Sequence, residues 1–227
     1  MEDTPNLRYE LKMVTEDAVR LQVNSWLRVH PWAFHGTYPS RQVNNIYFDT
    51  PGLDSYNDHI EGSGLRRKLR YRWYGTDLRH ACGQVEVKNK KNNLGWKIVQ
   101  KVDQPLDLVE MNWNDVSQAL RQNSDGVVRE LLEVSRPIII NTYDRDYFVS
   151  ADGLVRSTID YNLCGYEQWL NARPNLNFKV PYRKLTILEF KSDSQNGKVL
   201  AEGFARFPIR LAPYSKYLGV MNALVDR

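Results

Sequence analysis

The sequence predicts an α+β fold: a largely antiparallel β-barrel with its helices packed outside and its charge turned inward. Three observations carry this expectation. Segments with the two-residue period of a strand outnumber those with a helical period, and hairpin-length links between them favour antiparallel pairing. Most of these strands set an apolar or aromatic face against a face of Lys and Arg mixed with a few carboxylates. An ordinary sandwich strand also turns polar residues to water, but here the opposite faces are rich enough to pack against helices. The charged faces are then left for a lumen, which is tolerable only when a polyanion and a metal fill it.

The chain is organised around Leu65–Tyr74, LRRKLRYRWY. At a two-residue period Arg66, Lys68, Arg70 and Arg72 share one face, and Arg67, Leu69, Tyr71 and Trp73 the other. Same-face neighbours about 7 Å apart repel by roughly 2 kcal/mol at an effective dielectric near 20. An anion is expected on that face.

Leu7–Val14 alternates Arg8, Glu10 and Lys12 with Tyr9, Leu11 and Met13, a strand with a charged face. Thr15 is expected to cap a helix running to about Val29, with Val23, Trp26 and Leu27 inward and His30-Pro31 closing it. Arg41–Asp49 reads as a strand ended by a Thr50-Pro51-Gly52 turn. Gly83–Lys90 places Gln84, Glu86, Lys88 and Lys90 on one face, and a turn at 92–95 returns the chain through Trp96–Lys101. Trp113–Val134 turns helical with a break at 124–126, giving a helical pair. Ile138–Ser150 and Leu154–Asn162 form a hairpin that carries Arg145 and Arg156. Cys164–Pro181 has no clear period and reads as a long connection. Leu185–Lys191 is a strand with Glu189 and Lys191 on one face; a helix near 198–207 and a last helix from Ser215 close the chain. No repeat or composition shift marks a linker, so a single domain over 1–227 is expected.

With 227 residues, 42% of them hydrophobic and 11% aromatic, the chain can bury a real core. Its 31 Lys+Arg against 27 Asp+Glu leave only +4, too mild an excess to call for nucleic acid. Cys82 and Cys164 have neither CxxC nor zinc-site spacing and read as two free thiols in a reducing cytoplasm. No apolar run approaches the ~18 residues of a membrane span, so a soluble, cytoplasmic chain is expected.

RYELK, NNIYFDT, LRRKLRYRWYG, GQVEVKNK, YDRDYF with VRSTID, LEFKSD and YSKYLGV resemble, in order and across essentially the whole chain, the motifs of the VTC domain. That is the catalytic domain of the vacuolar transporter chaperone polyphosphate polymerase, in the triphosphate tunnel (CYTH-like) metalloenzyme superfamily. Each motif alone is weak; their order is what is specific. The resemblance implies an antiparallel tunnel of about eight strands that binds triphosphate, pyrophosphate or polyphosphate. Its basic positions match Lys12, Arg70, Arg72, Lys88, Arg145, Arg156 and Lys216, and its metal-binding carboxylate matches Glu189. Lys68, Lys191 and Ser215 are further phosphate-binding carry-overs, and Lys97 and Lys101 both stand for the next basic position. Two departures stand out. Pro213 replaces a Lys often found two residues before the Ser of S-K-Y, where Arg210 is a candidate substitute. The E-x-E-x-K of related hydrolases is reduced to Glu10-Leu11-Lys12, with Arg8 at the earlier position.

Phosphoryl transfer requires in-line positioning and neutralised charge rather than a protein nucleophile. Arg70, Arg72, Arg145 and Arg156 suit bidentate phosphate contacts, and Lys12, Lys88 and Lys216 act as point charges. Glu189, with Glu10 or Glu86, would hold Mn²⁺ or Mg²⁺; Glu10 and Glu86 read equally well as partners of neighbouring cations. The expected activity is ATP-dependent polyphosphate synthesis. The alternatives are a triphosphatase acting on tripolyphosphate, thiamine triphosphate or an RNA 5′ triphosphate, and a non-catalytic module binding polyphosphate, inositol phosphate or nucleic acid.

Overall fold

A computed structural model describes residues 8–91, 94–193, 200, 203 and 207–225. Strands β1 (Arg8–Glu16), β2 (His35–Asp49), β3 (Leu65–Tyr74), β4 (Gly83–Lys91), β5 (Leu94–Lys101), β6 (Arg136–Val149), β7 (Arg156–Glu167), β8 (Lys179–Val180) and β9 (Leu185–Asp193) form one mixed-order sheet. Helices α1 (Arg20–Val29), α2 (Asp54–Ile60), α3 (Trp113–Gln122), α4 (Gly126–Val134) and α5 (Lys216–Val225) complete the α+β fold. The strand order is β1-β9-β7-β6-β2-β3-β4-β5, with β8 on β7. The expected barrel is corrected here: β1 and β5 end that order, and among the described residues no pairing closes the sheet.

The chain divides into two compact units. One comprises Met1–Arg41, Tyr143–Leu163 and Arg183–Ser215; the other comprises Gln42–Thr142, Cys164–Tyr182 and Lys216–Arg227. In the first, Met13, Ile159, Leu188 and Phe190 from the strands bury with Val23 and Leu27 of α1. In the second, Leu69, Tyr71, Trp73, Val85 and Val87 pack against Val116 and Leu120 of α3 and Val128 and Leu132 of α4. In both units, then, an apolar strand face meets helices, as the alternation of β1, β3 and β4 leads one to expect.

Several boundaries move, each through tertiary pairing. Thr15 does not cap a helix: it pairs with Thr186 and Glu16 with Leu185, so β1 runs on. A 3-10 turn at Asp17–Val19 follows, anchored by Asp17 N donating to Lys184 O at 3.0 Å, and α1 begins only at Arg20. β2 begins at His35 rather than Arg41, its polar first half set beside β6, where Tyr38 meets Tyr147 edge-on and the Arg41 guanidinium lies over the Tyr147 ring. α2 is unheralded by periodicity. Its first turn is held by the Asp49 carboxylate, which accepts from Ser55 N and Tyr56 N, after Leu53 turns through a left-handed φ of 59°.

The expected connection from Cys164 is in part sheet, since β7 continues to Glu167 and Gly165 pairs with Val180 of β8. A Cβ at Gly165 would lie 2.6 Å from the Val220 side chain, so only glycine lets α5 pack there. The helical pair and the last helix stand as expected, with Tyr217 and Met221 buried and Leu218 and Leu224 partly so, while the return strand expected over Leu154–Asn162 runs from Arg156 to Glu167. The helix expected near 198–207 lies largely outside the described residues. Both cysteines are free thiols. Among the described residues no helix is long and apolar enough to cross a membrane.

Candidate active site

In the second unit the organising strand β3 lies between β2 and β4, and the register decides which charges meet. Arg70 faces Glu86 and Arg72 faces Gln84, whereas Arg66 faces Lys90 and Lys68 faces Lys88, itself opposite Lys97. Glu86, 1% exposed, accepts from Arg70 Nε at 2.8 Å, Lys97 Nζ at 2.8 Å and Gln84 Nε2 at 2.7 Å. Burial alone would push its carboxyl up, but Arg70, Arg72 and Lys97 outweigh burial and hold it well below the usual carboxylate range. With both oxygens so engaged, Glu86 serves as an orienting counter-ion for Arg70; as a metal ligand it would have to surrender those bonds. Lys97, rather than Lys101, joins this cluster, because Lys101 falls opposite Gln84.

The Arg70 guanidinium is further steadied by the Tyr47 hydroxyl, 3.2 Å from its Nη1. The Tyr47 ring stacks on Tyr217 of α5, and Tyr217 donates to Asp49 at 2.6 Å. Lys216 thus opens a helix that Asp49 and Tyr47 pin, with Ser215 directly before it. His59 of α2 lies 3.3 Å from Arg66 Nη1; burial, then the charges of Lys68, Arg66 and Lys90, lower its pKa to about 4. Its imidazole is neutral at physiological pH.

In the first unit β1 and β9 bring Glu10 opposite Lys191 and Lys12 opposite Glu189. Lys12 pairs with Glu10, and its Nζ lies 3.9 Å from Glu189, while Lys191 lies 3.1 Å from Glu189. Burial opposes ionisation of Glu189, yet Lys191, Lys12, a side-chain hydrogen bond with Glu10 and the charge of Arg145 hold its carboxyl well below the usual range. Arg145 is gripped by the fully buried Asp160 through Nε at 2.6 Å and Nη2 at 2.8 Å, and reaches within 3.8 Å of Glu189. Arg156 is exposed and faces Lys191 across β7 and β9.

Among the described residues no cluster of three or more His, Cys, Asp or Glu could hold a metal. Two neighbouring carboxylates ringed by cations, however, suit an ion such as Mg²⁺ or Mn²⁺, which takes one or two carboxylates and completes its shell with water and phosphate oxygens. Glu10 and Glu189 fit that donor set, and Glu86 does not.

Sequence reasoning missed Asp160, Tyr47, Asn45 and Asn141. Pairing sets Asn45 opposite Arg72 and Tyr47 opposite Arg70, so the face of β2 that carries them is shared with those arginines. Arg70→Ala and Arg72→Ala are each expected to weaken tripolyphosphate binding by about 1.5–3 kcal/mol in titration calorimetry. Arg67→Ala should barely change it, because Arg67 points to the opposite face and bonds Asn89. Equal losses at all three positions would indicate a diffuse basic patch.

An antiparallel sheet whose strands turn cations and a few carboxylates to one face is the architecture of triphosphate tunnel proteins, and solved structures agree in fold. A candidate adenylate cyclase from Bacillus halodurans matches with a TM-score of 0.52 at 13% identity, covering 92% of this chain and 94% of that one. A candidate adenylyl cyclase from Hippeastrum, described as having a dominant triphosphatase activity, matches at 0.53 and 16%, covering 95% of each chain. Another from Vibrio parahaemolyticus gives 0.51 and 13%, with 96% and 99% covered. The VTC domain family profile matches residues 7–225, and the chain belongs to that family. Among curated proteins no sequence matches it.

Proposed function

We propose that the chain works as one metal-dependent polyphosphate polymerase domain, moving the terminal phosphate of ATP onto a growing polyphosphate chain in the cytoplasm. The observation that carries this reading is the composition of the β3–β5 face. There Arg66, Lys68, Arg70, Arg72, Lys88, Lys90 and Lys97 are set against Glu86. Like charges opposite one another destabilise a bare sheet, and a long anion relieves that cost along its whole length, which favours retaining a polymer over releasing orthophosphate. In the reaction a terminal oxygen of the chain forms a bond to the γ-phosphorus as the bond to the β–γ bridging oxygen breaks, and ADP leaves. The attacking oxygen is already ionised, so no protein base is needed.

Arg70 and Arg72 neutralise equatorial oxygens on one sheet face. Lys12, Arg145 and Lys191 supply charge beside Glu189 in the first unit. Arg156, Lys88, Lys216, Ser215 and Lys101 are the outer contacts. Glu10 and Glu189 would hold Mn²⁺ or Mg²⁺, which when bound supplies charge neutralisation to phosphate oxygens.

Incubation of the purified protein with ATP and Mn²⁺, repeated with Mg²⁺, tests the reading. ADP should appear together with a polymer that resolves as a ladder on a polyacrylamide gel. Orthophosphate in proportion to ADP, with no polymer at any time, would make the protein a triphosphatase; binding of tripolyphosphate without turnover under either metal would make it a binding module.

A further inference from the structure

Arg72 is oriented differently from the arginine two residues before it. Arg70 lies on the carboxylate of Glu86, which sets its plane. Arg72 makes a longer ion pair with Glu86, 3.9 Å from Nη1, and its Nε donates to Asn45 Oδ1 at 2.8 Å. Asn45 is fully buried, and its Nδ2 donates to Asn141 Oδ1 at 2.8 Å.

The direction of this chain is dictated by its first member. Arg Nε can only donate, so Asn45 must present oxygen to it and its NH₂ to Asn141. Asn141 must therefore present oxygen in turn, which leaves its own Nδ2 buried with no hydrogen-bond partner. Asn141 is 2% exposed, and the unpaired donor it buries carries a desolvation cost. The part this amide plays is to accept from the buried Asn45 Nδ2, which keeps the Asn45 oxygen turned to Arg72.

We infer that Asn141, acting through Asn45, is a positioning residue for Arg72: a neutral amide relay that fixes the guanidinium plane. The inference rests on the phosphate-binding reading of Arg72. A carboxylate in the place of Asn45 would hold the arginine as firmly but would compete with the incoming anion.

The test is a double-mutant cycle on the full chain, with tripolyphosphate as the probe in titration calorimetry and thermal unfolding as the second readout. Asn141→Leu is expected to weaken binding about tenfold with the unfolding midpoint little changed, since it trades one unsatisfied buried donor, Asn141 Nδ2, for another, Asn45 Nδ2. In an Arg72→Ala background the same substitution should change affinity by less than about twofold. Unchanged affinity in the single variant, a comparable loss in the Arg72→Ala background, or a lowered unfolding midpoint accompanying the loss would each overturn the positioning role. If Asn141→Leu does not fold, Asn141→Ala is carried through the same cycle and judged by the same criteria. Arg72→Ala with undiminished affinity would overturn the phosphate-binding reading itself, and this inference with it.

Discussion

Glu189→Ala should abolish metal-dependent turnover of ATP while leaving a folded protein that still binds tripolyphosphate. Glu189 is buried to 6% exposure and held ionised among Lys191, Lys12 and Arg145, so it offers a full negative charge to an incoming divalent ion. A metal is worth several kcal/mol of charge stabilisation in the transition state, and its loss corresponds to about a thousand-fold or more in rate. The fold should survive because the cations released are not stranded. Lys12 and Lys191 have side chains 23% and 33% exposed and can turn to water, and Arg145 keeps Asp160. A rate assay with Mn²⁺ beside a thermal melt checks both halves. Residual turnover within tenfold of wild type would remove Glu189 from the metal site, and Glu10→Ala would then be the variant to compare.

Asp160→Ala should be the most destabilising single change among the charged residues, by about 3–5 kcal/mol, the cost of stripping one partner from a buried ion pair. Asp160 is completely buried and Arg145 is 9% exposed, and the two share a bidentate fork. Among the described residues the guanidinium would then keep the more distant Glu189 at 3.8 Å and the face of Tyr143. It cannot be deprotonated, and its side chain is only 11% exposed. Urea unfolding should show the midpoint falling at constant slope. A loss under about 1 kcal/mol would mean that Arg145 finds solvent, and that Asp160 is not what holds it toward Glu189. Unlike Glu189→Ala, which costs activity first, this substitution costs the fold first, so the two variants separate chemistry from scaffold.

Much of this protein is legible in its sequence because a strand's period is short and local. Alternation alone places Arg70 and Arg72 on one side of β3 and Leu69, Tyr71 and Trp73 on the other; Glu10 and Lys12 oppose Leu11 and Met13 in the same way. The helical pair at 113–134 is equally local, since its capping box at Asn112 and Asp115 and its apolar stripe lie within a few turns of chain. The family likewise follows from the order of short motifs, none of which needs a third dimension.

Partners distant in sequence could be decided only by the tertiary structure. Glu86 could be read equally as a metal ligand or an ion-pair partner until the register of β3, β4 and β5 placed Arg70 and Lys97 on it. Thr15 resembles a helix cap until β9 extends the ladder through Glu16. Asp160 and Asn141 carry no local signal at all, because their meaning lies in Arg145 on the neighbouring strand and in Asn45, 96 residues away. Whether the sheet closes was likewise beyond local pattern: that depends on the strand order, which among the described residues ends at β1 and β5. A period reports only which side of a strand a residue occupies, whereas register and strand order are settled by burial and hydrogen bonding summed over the whole sheet.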